Sequence, residues 1–218
     1  MNFEDTYRHK GLRKKLVETI RQKGIKDEKV LQAIEKIPRH YFFDSAFLSF
    51  AYEDKAFPIG AGQTISQPYT VAFQSELLDI HKGDKVLEVG TGSGYQACIL
   101  SEMGAKVFSI ERQKSLFMKV KEFLPQLNYP IKVFYGDGYK GLPTFAPFDK
   151  IIITAAAPYI PEPLKEQLKV GGIMLVPLGG GDIQIMTSLH KVSETEFISR
   201  EYGAFRFVPL LQDKANDK

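Results

Sequence analysis

An α/β fold with a doubly wound, mostly parallel sheet is predicted for this chain by three observations. From Gly83 onward, short β-branched runs alternate with helical patterns. The first of those runs ends in a glycine-rich turn that opens a helix. An N-terminal helical extension precedes the alternation, and a C-terminal pair of extended runs with no helix between them follows it. Strands that alternate with helices pair in parallel through right-handed crossovers, so a sheet covered on both faces is expected.

Over residues 11–24, Leu12, Leu16, Val17 and Ile20 recur at three- and four-residue spacing among Arg, Lys and Glu, which predicts an amphipathic helix stopped by Gly24. Asp27 is suited to cap a second helix carrying Val30, Leu31, Ile34 and Ile37, and Pro38 ends it by disfavouring helical geometry at Ile37. An aromatic-rich irregular stretch covers residues 41–57. Residues 58–68, bounded by two prolines and carrying Gly60 and Gly62, are expected to form a loop. Val71, Ala72, Leu77 and Leu78 predict a helix with Pro68 in its first turn. Strands are expected at residues 85–89, 107–111, 131–135, 150–154 and 172–177, helices at 94–103, 113–124 and 161–168, and a turn-rich connection at 136–147. After three consecutive glycines, residues 184–192 and 196–208 read as an antiparallel hairpin on the sheet edge, and residues 213–218 as a mobile tail.

The 218 residues hold 29 Lys and Arg against 26 Asp and Glu, a formal charge of +3. That balance is too slight for a dedicated binder of nucleic acid or of an anionic membrane. With 44% hydrophobic and 25% charged residues, general disorder is excluded and one sizeable core is expected. The single cysteine, Cys98, cannot make an intrachain disulfide or a thiolate metal site, which fits a reducing compartment. Residues 1–15 show no apolar signal-peptide segment, and the run at 151–157 is far shorter than the roughly 20 residues of a membrane-crossing helix. A cytoplasmic protein is expected. His9, His40, His81 and His190 are scattered without ligand spacing, so no metal is expected.

The sharpest motif is Val86-Leu87-Glu88-Val89-Gly90-Thr91-Gly92-Ser93-Gly94, a buried-strand pattern that runs into Gly-x-Gly-x-Gly and a helix. Such glycines permit a tight turn and let a nucleotide-like ligand approach the backbone. The spacing departs from the dinucleotide Gly-x-Gly-x-x-Gly, and Glu88 stands just before the first glycine. Its charge would repel a pyrophosphate and tolerate the sulfonium and ammonium of S-adenosylmethionine. Glu111 closes the second strand about 20 residues beyond Gly90, where an acid accepts hydrogen bonds from ribose hydroxyls. At the end of the third strand, Gly136 and Gly138 leave room for a flat ring and Asp137 can accept from an adenine amino group. All three acids fall at successive strand ends, the expected place for a ligand of an open α/β sheet. A class I, Rossmann-like methyltransferase with S-adenosylmethionine as donor and S-adenosylhomocysteine as product is the expected class.

With Gly62-Gln63-Thr64-Ile65-Ser66-Gln67-Pro68-Tyr69 and Leu87 to Gln96 both in view, the chain resembles the protein-L-isoaspartate O-methyltransferase family. The resemblance continues in Ile37-Pro38-Arg39-His40, Ser109-Ile110-Glu111-Arg112, Gly136-Asp137-Gly138, Ala146-Pro147-Phe148-Asp149 and Arg206-Phe207-Val208-Pro209-Leu210, so it spans nearly the whole chain. It implies methyl transfer to the free α-carboxylate of L-isoaspartyl residues, and more weakly to D-aspartyl side chains, in damaged proteins, with repair through a succinimide. It implies Ser66 as the catalytic residue, with Gln63, Thr64 and Ile65 beside the substrate. The cofactor positions it implies are Ile59, Gly60, Ala61, Gly62, Glu111, Arg112, Asp137 and Gly138, joined by Gly90, Thr91, Gly92 and Gly94 from the glycine-loop motif and by Glu88 from the charge argument. A carboxylate is already ionised at neutral pH and needs alignment, not a base, so a hydrogen bond from Ser66 suffices. Ser66 equally suits a helix cap near Pro68.

One domain is expected: residues 1–82 supply the helices and substrate loop, 83–178 the cofactor-binding core, and 179–218 the terminal strands and tail. Damaged proteins are the expected partners of a monomer that binds neither nucleic acid nor membrane. Two other readings are a methyltransferase for RNA or a small molecule, and a non-catalytic adenosine-binding domain. The small residues Thr154-Ala155-Ala156-Ala157-Pro158 argue against base recognition, and the intact Ser66 and glycines against loss of catalysis. Two departures from the family pattern stand out: Tyr139 where many bacterial relatives carry Trp, and a short tail to which no cofactor-covering contact transfers.

Overall fold

The computed structural model describes residues 4–215. α1 (Tyr7–Gln22) starts earlier than Gly11 because Thr6 caps it: the Thr6 hydroxyl accepts from the His9 amide at 3.3 Å, and His9 Nδ1 accepts from the Thr6 amide at 3.4 Å. α2 (Glu28–Lys36) is capped by Asp27, whose carboxylate accepts from the Lys29 amide at 2.8 Å. α3 (Pro68–Leu78) carries Pro68 in its first turn.

The expected loop at 58–68 is instead a small antiparallel ribbon, β1 (Phe57–Gly60) with β2 (Gln63–Ile65), in which Phe57 faces Ile65 and Pro58 faces Thr64. Pro58 is tolerated because a two-stranded ribbon asks for ladder bonds on one edge only. The turn of Gly60, Ala61 and Gly62 has positive φ throughout, and the two glycines carry most of that cost.

The main sheet has seven strands in the order β5-β4-β3-β6-β7-β8-β9. β3 (Lys85–Val89), β4 (Lys106–Glu111), β5 (Lys132–Tyr135), β6 (Phe148–Ile153) and β7 (Leu168–Leu178) are parallel. β8 (Gln184–Lys191) and β9 (Phe197–Phe205) add antiparallel to β7, the hairpin expected at the sheet edge. The chain winds one way from β3 through β4 to β5 and the other way from β6 to β7, which places the topological switch between β3 and β6.

Alternating residues of the central strands feed two cores. Val86, Val107 and Ile152 face a cluster built with α1 to α3, α4 (Tyr95–Glu102) and α5 (Lys114–Phe123). Leu87, Ile110 and Ile151 face a second cluster closed by Leu164 of α6 (Glu162–Gln167), Tyr139 and Leu210. Both faces are covered as expected, but five helices lie on one and a single short helix on the other. The tail is not the free end that polarity predicted. Leu210 donates to Ala156 at 2.7 Å, Ala215 donates to Arg112 at 2.9 Å, and the carbonyl of Ala215 accepts from Lys114 at 3.2 Å. The remaining positions of the expected mobile segment, 216–218, lie outside the described residues. Among the described residues no helix is long and apolar enough to cross a membrane.

Candidate active site

Outside the carboxyl ends of β3, β4 and β6 lies an inner cavity, and beside it an outer cleft. Thr64, Ser66, Thr154 and Val208 line both, so the two spaces meet at those four side chains.

The inner wall is set by Gly90, which leaves β3 with φ +102° and donates its amide to Ile110 at 2.9 Å. A Cβ at this position would stand 2.5 Å from Thr154 Oγ1. Thr154 is fixed there because its hydroxyl reaches the carbonyls of Gly90 at 2.7 Å and Val89 at 3.0 Å, tying the ends of β3 and β6 together. Thr91 and Gly92 continue the wall, and Gly94, at φ +84°, occupies the N-cap position of α4 without lining the cavity.

Glu111 faces the cavity at the end of β4. One carboxylate oxygen accepts from the Gly92 amide and the other from the Gln113 amide, both at 2.8 Å. Burial pushes its pKa up, while those amides pull it down. Glu88 is placed differently from the sequence expectation. It has no exposed surface and sits behind the wall, bonded to the Ser109 hydroxyl, which in turn lies 2.6 Å from the Thr91 hydroxyl. Burial pushes the Glu88 carboxyl up to about 8, with Ser109 opposing and nearby Glu111 adding to the rise. At neutral pH the group is mostly protonated, so it supplies little of the charge from which the donor was argued.

Gly138 lines the cavity, whereas Asp137 turns one oxygen to the Tyr139 amide at 2.9 Å and caps its own turn. The flanking glycines make room for protein, not for an open slot: a Cβ would meet Ile110 at Gly136 and Val89 at Gly138. Arg112 borders the cavity, and its guanidinium holds the tail through the carbonyls of Asp213 at 3.0 Å and Gln212 at 3.3 Å. Val208, Pro209, Leu210 and Leu211 therefore cross the cavity as part of its wall. The Tyr139 hydroxyl steadies that crossing with a bond to the Leu210 carbonyl at 3.2 Å.

Gln63, Thr64, Ile65 and Ser66 all border the inner cavity. The tip of the ribbon, Gly60, Ala61 and Gly62, stands outside it, while Ile59 packs over Gly92, 3.5 Å from where a Cβ there would be. Of the two roles open to Ser66, the helix cap is not made. Gln67 is the N-cap residue of α3, and the Ser66 hydroxyl takes part in no hydrogen bond among the described residues. The Ser66 carbonyl is held from behind by Arg39, which donates from Nη2 at 2.8 Å. Arg39 is fully buried over the rings of Tyr95 at 4.7 Å and Phe43 at 5.3 Å, its Nε and Nη1 find no acceptor, and burial pushes its pKa down to about 10.

Thr154 and Arg39 were missed as site residues by sequence reasoning. Thr154 ends the fourth predicted strand, and the strand-end rule applied to the other three strands would have found it. Arg39 left no such signal. Two histidines read as scattered are neighbours: His9 and His40 lie with ring centroids 3.9 Å apart, tilted by 33°, beside Asp5. Both Asp5 oxygens are taken by Arg13 at 2.9 Å, and both His40 nitrogens by Tyr52 and the Glu4 carbonyl, so the cluster ties α1 to the following segment.

A family model described as Protein-L-isoaspartate(D-aspartate) O-methyltransferase matches residues 11–215. The chain is 61% identical over 213 residues to a protein-L-isoaspartate O-methyltransferase of Flavobacterium johnsoniae, covering 97% of this chain and 100% of that protein. It is 62% identical over 213 residues to one of Christiangramia forsetii, with the same coverage. Among solved structures, one described as a protein-L-isoaspartate O-methyltransferase superposes with a TM-score of 0.81 at 29% identity, over 90% of this chain and 65% of that one. A Plasmodium falciparum structure, described as a putative enzyme of the same kind in complex with S-adenosyl-L-homocysteine, superposes with a TM-score of 0.79 at 25% identity, over 92% and 99%.

Proposed function

Because this chain belongs to the protein-L-isoaspartate(D-aspartate) O-methyltransferase family, we propose a division of labour between its two cavities, the inner one for S-adenosylmethionine and the outer one for the damaged segment. The enzyme methylates isoaspartyl residues with S-adenosylmethionine as donor, a step of protein repair. The observation that carries the proposed assignment is that the two spaces meet at Ser66.

The residues present fit the donor. Gly90, Thr91 and Gly92 offer a backbone wall without side-chain obstruction, and Glu111 faces the same space. Each Glu111 oxygen accepts one amide, and a carboxylate has about four acceptor sites, so capacity for the ribose hydroxyls remains. Gly138 and Asp137 serve the adenine side, where one Asp137 oxygen makes no bond among the described residues. Glu88 acts through Ser109 and Thr91 to hold the loop, Gly94 starts α4, Arg112 holds the tail across the cavity, and Ile59 to Gly62 cover the glycine loop. When bound, S-adenosylmethionine supplies a methyl group on a positively charged sulfur.

The reacting carboxylate arrives ionised, and the chain's task is alignment. Ser66, with its hydroxyl uncommitted, donates to the oxygen that does not react and leaves the other oxygen aimed at the inner cavity. Arg39 positions Ser66 by fixing its carbonyl. Thr64 shares the junction, and Gln63 and Ile65 line the approach. After release, the amide nitrogen of the following residue attacks the ester carbonyl, closing a succinimide and expelling methanol, and D-aspartyl side-chain carboxylates are weaker substrates of the same site. One domain acting as a cytoplasmic monomer that binds neither nucleic acid nor membrane belongs to the same proposed reading. Cys98 is buried, and the outer cleft carries one charged side chain, no basic track.

Labelled-methyl transfer to an isoaspartyl peptide and to its aspartyl isomer tests the proposal. Ser66→Ala is expected to lower kcat about 100-fold or more while S-adenosylhomocysteine affinity stays within about twofold. Wild-type turnover in that variant would remove Ser66 from the mechanism.

A further inference from the structure

We propose that Arg206 is a specificity-determining residue of the outer cleft, selecting isoaspartyl segments that carry a second carboxylate within about two residues of the damaged one. The proposal rests on the assignment of that cleft to the substrate. Among the described residues that line the cleft, Arg206 is the one formally charged side chain. It is exposed and takes part in no ion pair or hydrogen bond among the described residues.

Its surroundings are aromatic. Phe205 packs on Phe73 with centroids 5.0 Å apart and stacks beside Tyr69 at 6.4 Å, and Phe207 follows at 6.5 Å. Beside Tyr69, the Lys23 ammonium lies over the ring and is already paired with Asp54 at 2.5 Å. A lone cation beside apolar walls attracts an anion more strongly than one in open water, and it repels a cation by as much.

Reach fixes the position selected. Val208 is one of the four residues at the junction, and two residues of extended chain separate its Cα from that of Arg206 by at most about 7 Å. A substrate backbone advances about 3.3 Å per residue, so a carboxylate one or two residues from the reacting group meets the guanidinium. A glutamate or aspartate side chain and a peptide's own C-terminus offer the same chemistry.

The test is a set of isoaspartyl hexapeptides, amidated at the C-terminus, with Glu, Gln or Lys one or two residues to either side of the isoaspartate, plus a free-acid version ending near it. In the wild type, Glu is expected to exceed Lys in kcat/KM by about three- to tenfold on at least one side, mostly through KM, and the ratio should shrink in about 0.5 M salt. Arg206→Gln is expected to bring the ratio to about one, and Arg206→Glu to invert it. A gain with an internal Glu in the amidated peptides assigns a side-chain carboxylate, and a gain with the free acid alone assigns the chain end; either supports the proposal. An unchanged Glu to Lys ratio in both variants overturns it. So does an equal loss on every peptide in Arg206→Gln, which would put the guanidinium on the reacting carboxylate. Failure of the wild type to methylate even the Gln peptides would instead overturn the cleft assignment, and the proposal with it.

Discussion

Gly90→Ala probes the point where β3 and β6 part, and its cost follows from one backbone angle, one contact distance and the bonds of one hydroxyl. At φ +102° an L side chain is strained by about 1–2 kcal/mol. The new Cβ would also stand 2.5 Å from Thr154 Oγ1. Thr154 can withdraw only by giving up its hydroxyl bond to the carbonyls of Gly90 and Val89, a loss of about 1 kcal/mol. The sum is about 2–3 kcal/mol, which at about 2–4 °C per kcal/mol for a chain of this size lowers Tm by roughly 4–12 °C. Thermal and urea unfolding read the stability, and S-adenosylhomocysteine titration is expected to weaken at least tenfold because the wall of the inner cavity moves. Thr154→Ala removes the clashing atom, so the double variant should be more stable than the sum of the single losses by about 1 kcal/mol. Additivity within about 0.3 kcal/mol, or a Gly90→Ala cost below about 1 kcal/mol, would show that the contact between the two strand ends does not constrain the loop.

Glu88→Gln tests the buried carboxyl. Its folded pKa of about 8 lies above the ordinary carboxyl value, so the native state binds more protons than the unfolded one between those values, and wild-type stability falls as pH rises through that window. The variant should gain on the wild type by up to about 1.4 kcal/mol per pH unit there and level off above pH about 8, as read by urea melts from pH 5 to 9. In Arg112→Ala, hydrogen exchange should speed up about fivefold or more at the amides of Leu210 and Ala215, with the protection of β3 unchanged, because the bonds to Asp213 and Gln212 are lost. The kcat of the wild type should vary less than about twofold from pH 6 to 7.5, since no residue shared by the two cavities titrates there; a bell-shaped profile would reveal a general base.

Much of the fold was legible because its signals are local. The strand at 85–89 was read to the residue, since four successive buried positions leave no alternation to misplace. Asp27, Gly24 and Pro68 marked helix ends through backbone geometry that needs no tertiary partner. The ribbon at β1 and β2 was hidden because prolines and glycines normally break strands, and its support is tertiary, with Ile59 and Ile65 buried in the helical-side core and Phe57 packed on Phe43, Phe47 and Phe50. The tail misled for a similar reason: its polarity described its side chains, whereas its order comes from main-chain bonds to Ala156, Arg112 and Lys114.

Glu88 shows how an argument from charge can point toward a cavity at the strand ends and still be physically incomplete. The charge attributed to it is largely quenched by burial, yet the position remains informative, because a polar group buried there must be supported from inside the sheet. Ser109 provides that support and passes it to Thr91, so the acid shapes the loop through hydrogen bonds in place of an external field. Ser66 is the opposite case. Its hydroxyl is left without a partner while its backbone is held by a buried guanidinium, which fixes where the group stands without using its bonding capacity. A reaction that needs neither an acid nor a base can be run by such a residue, because alignment is the one contribution it requires.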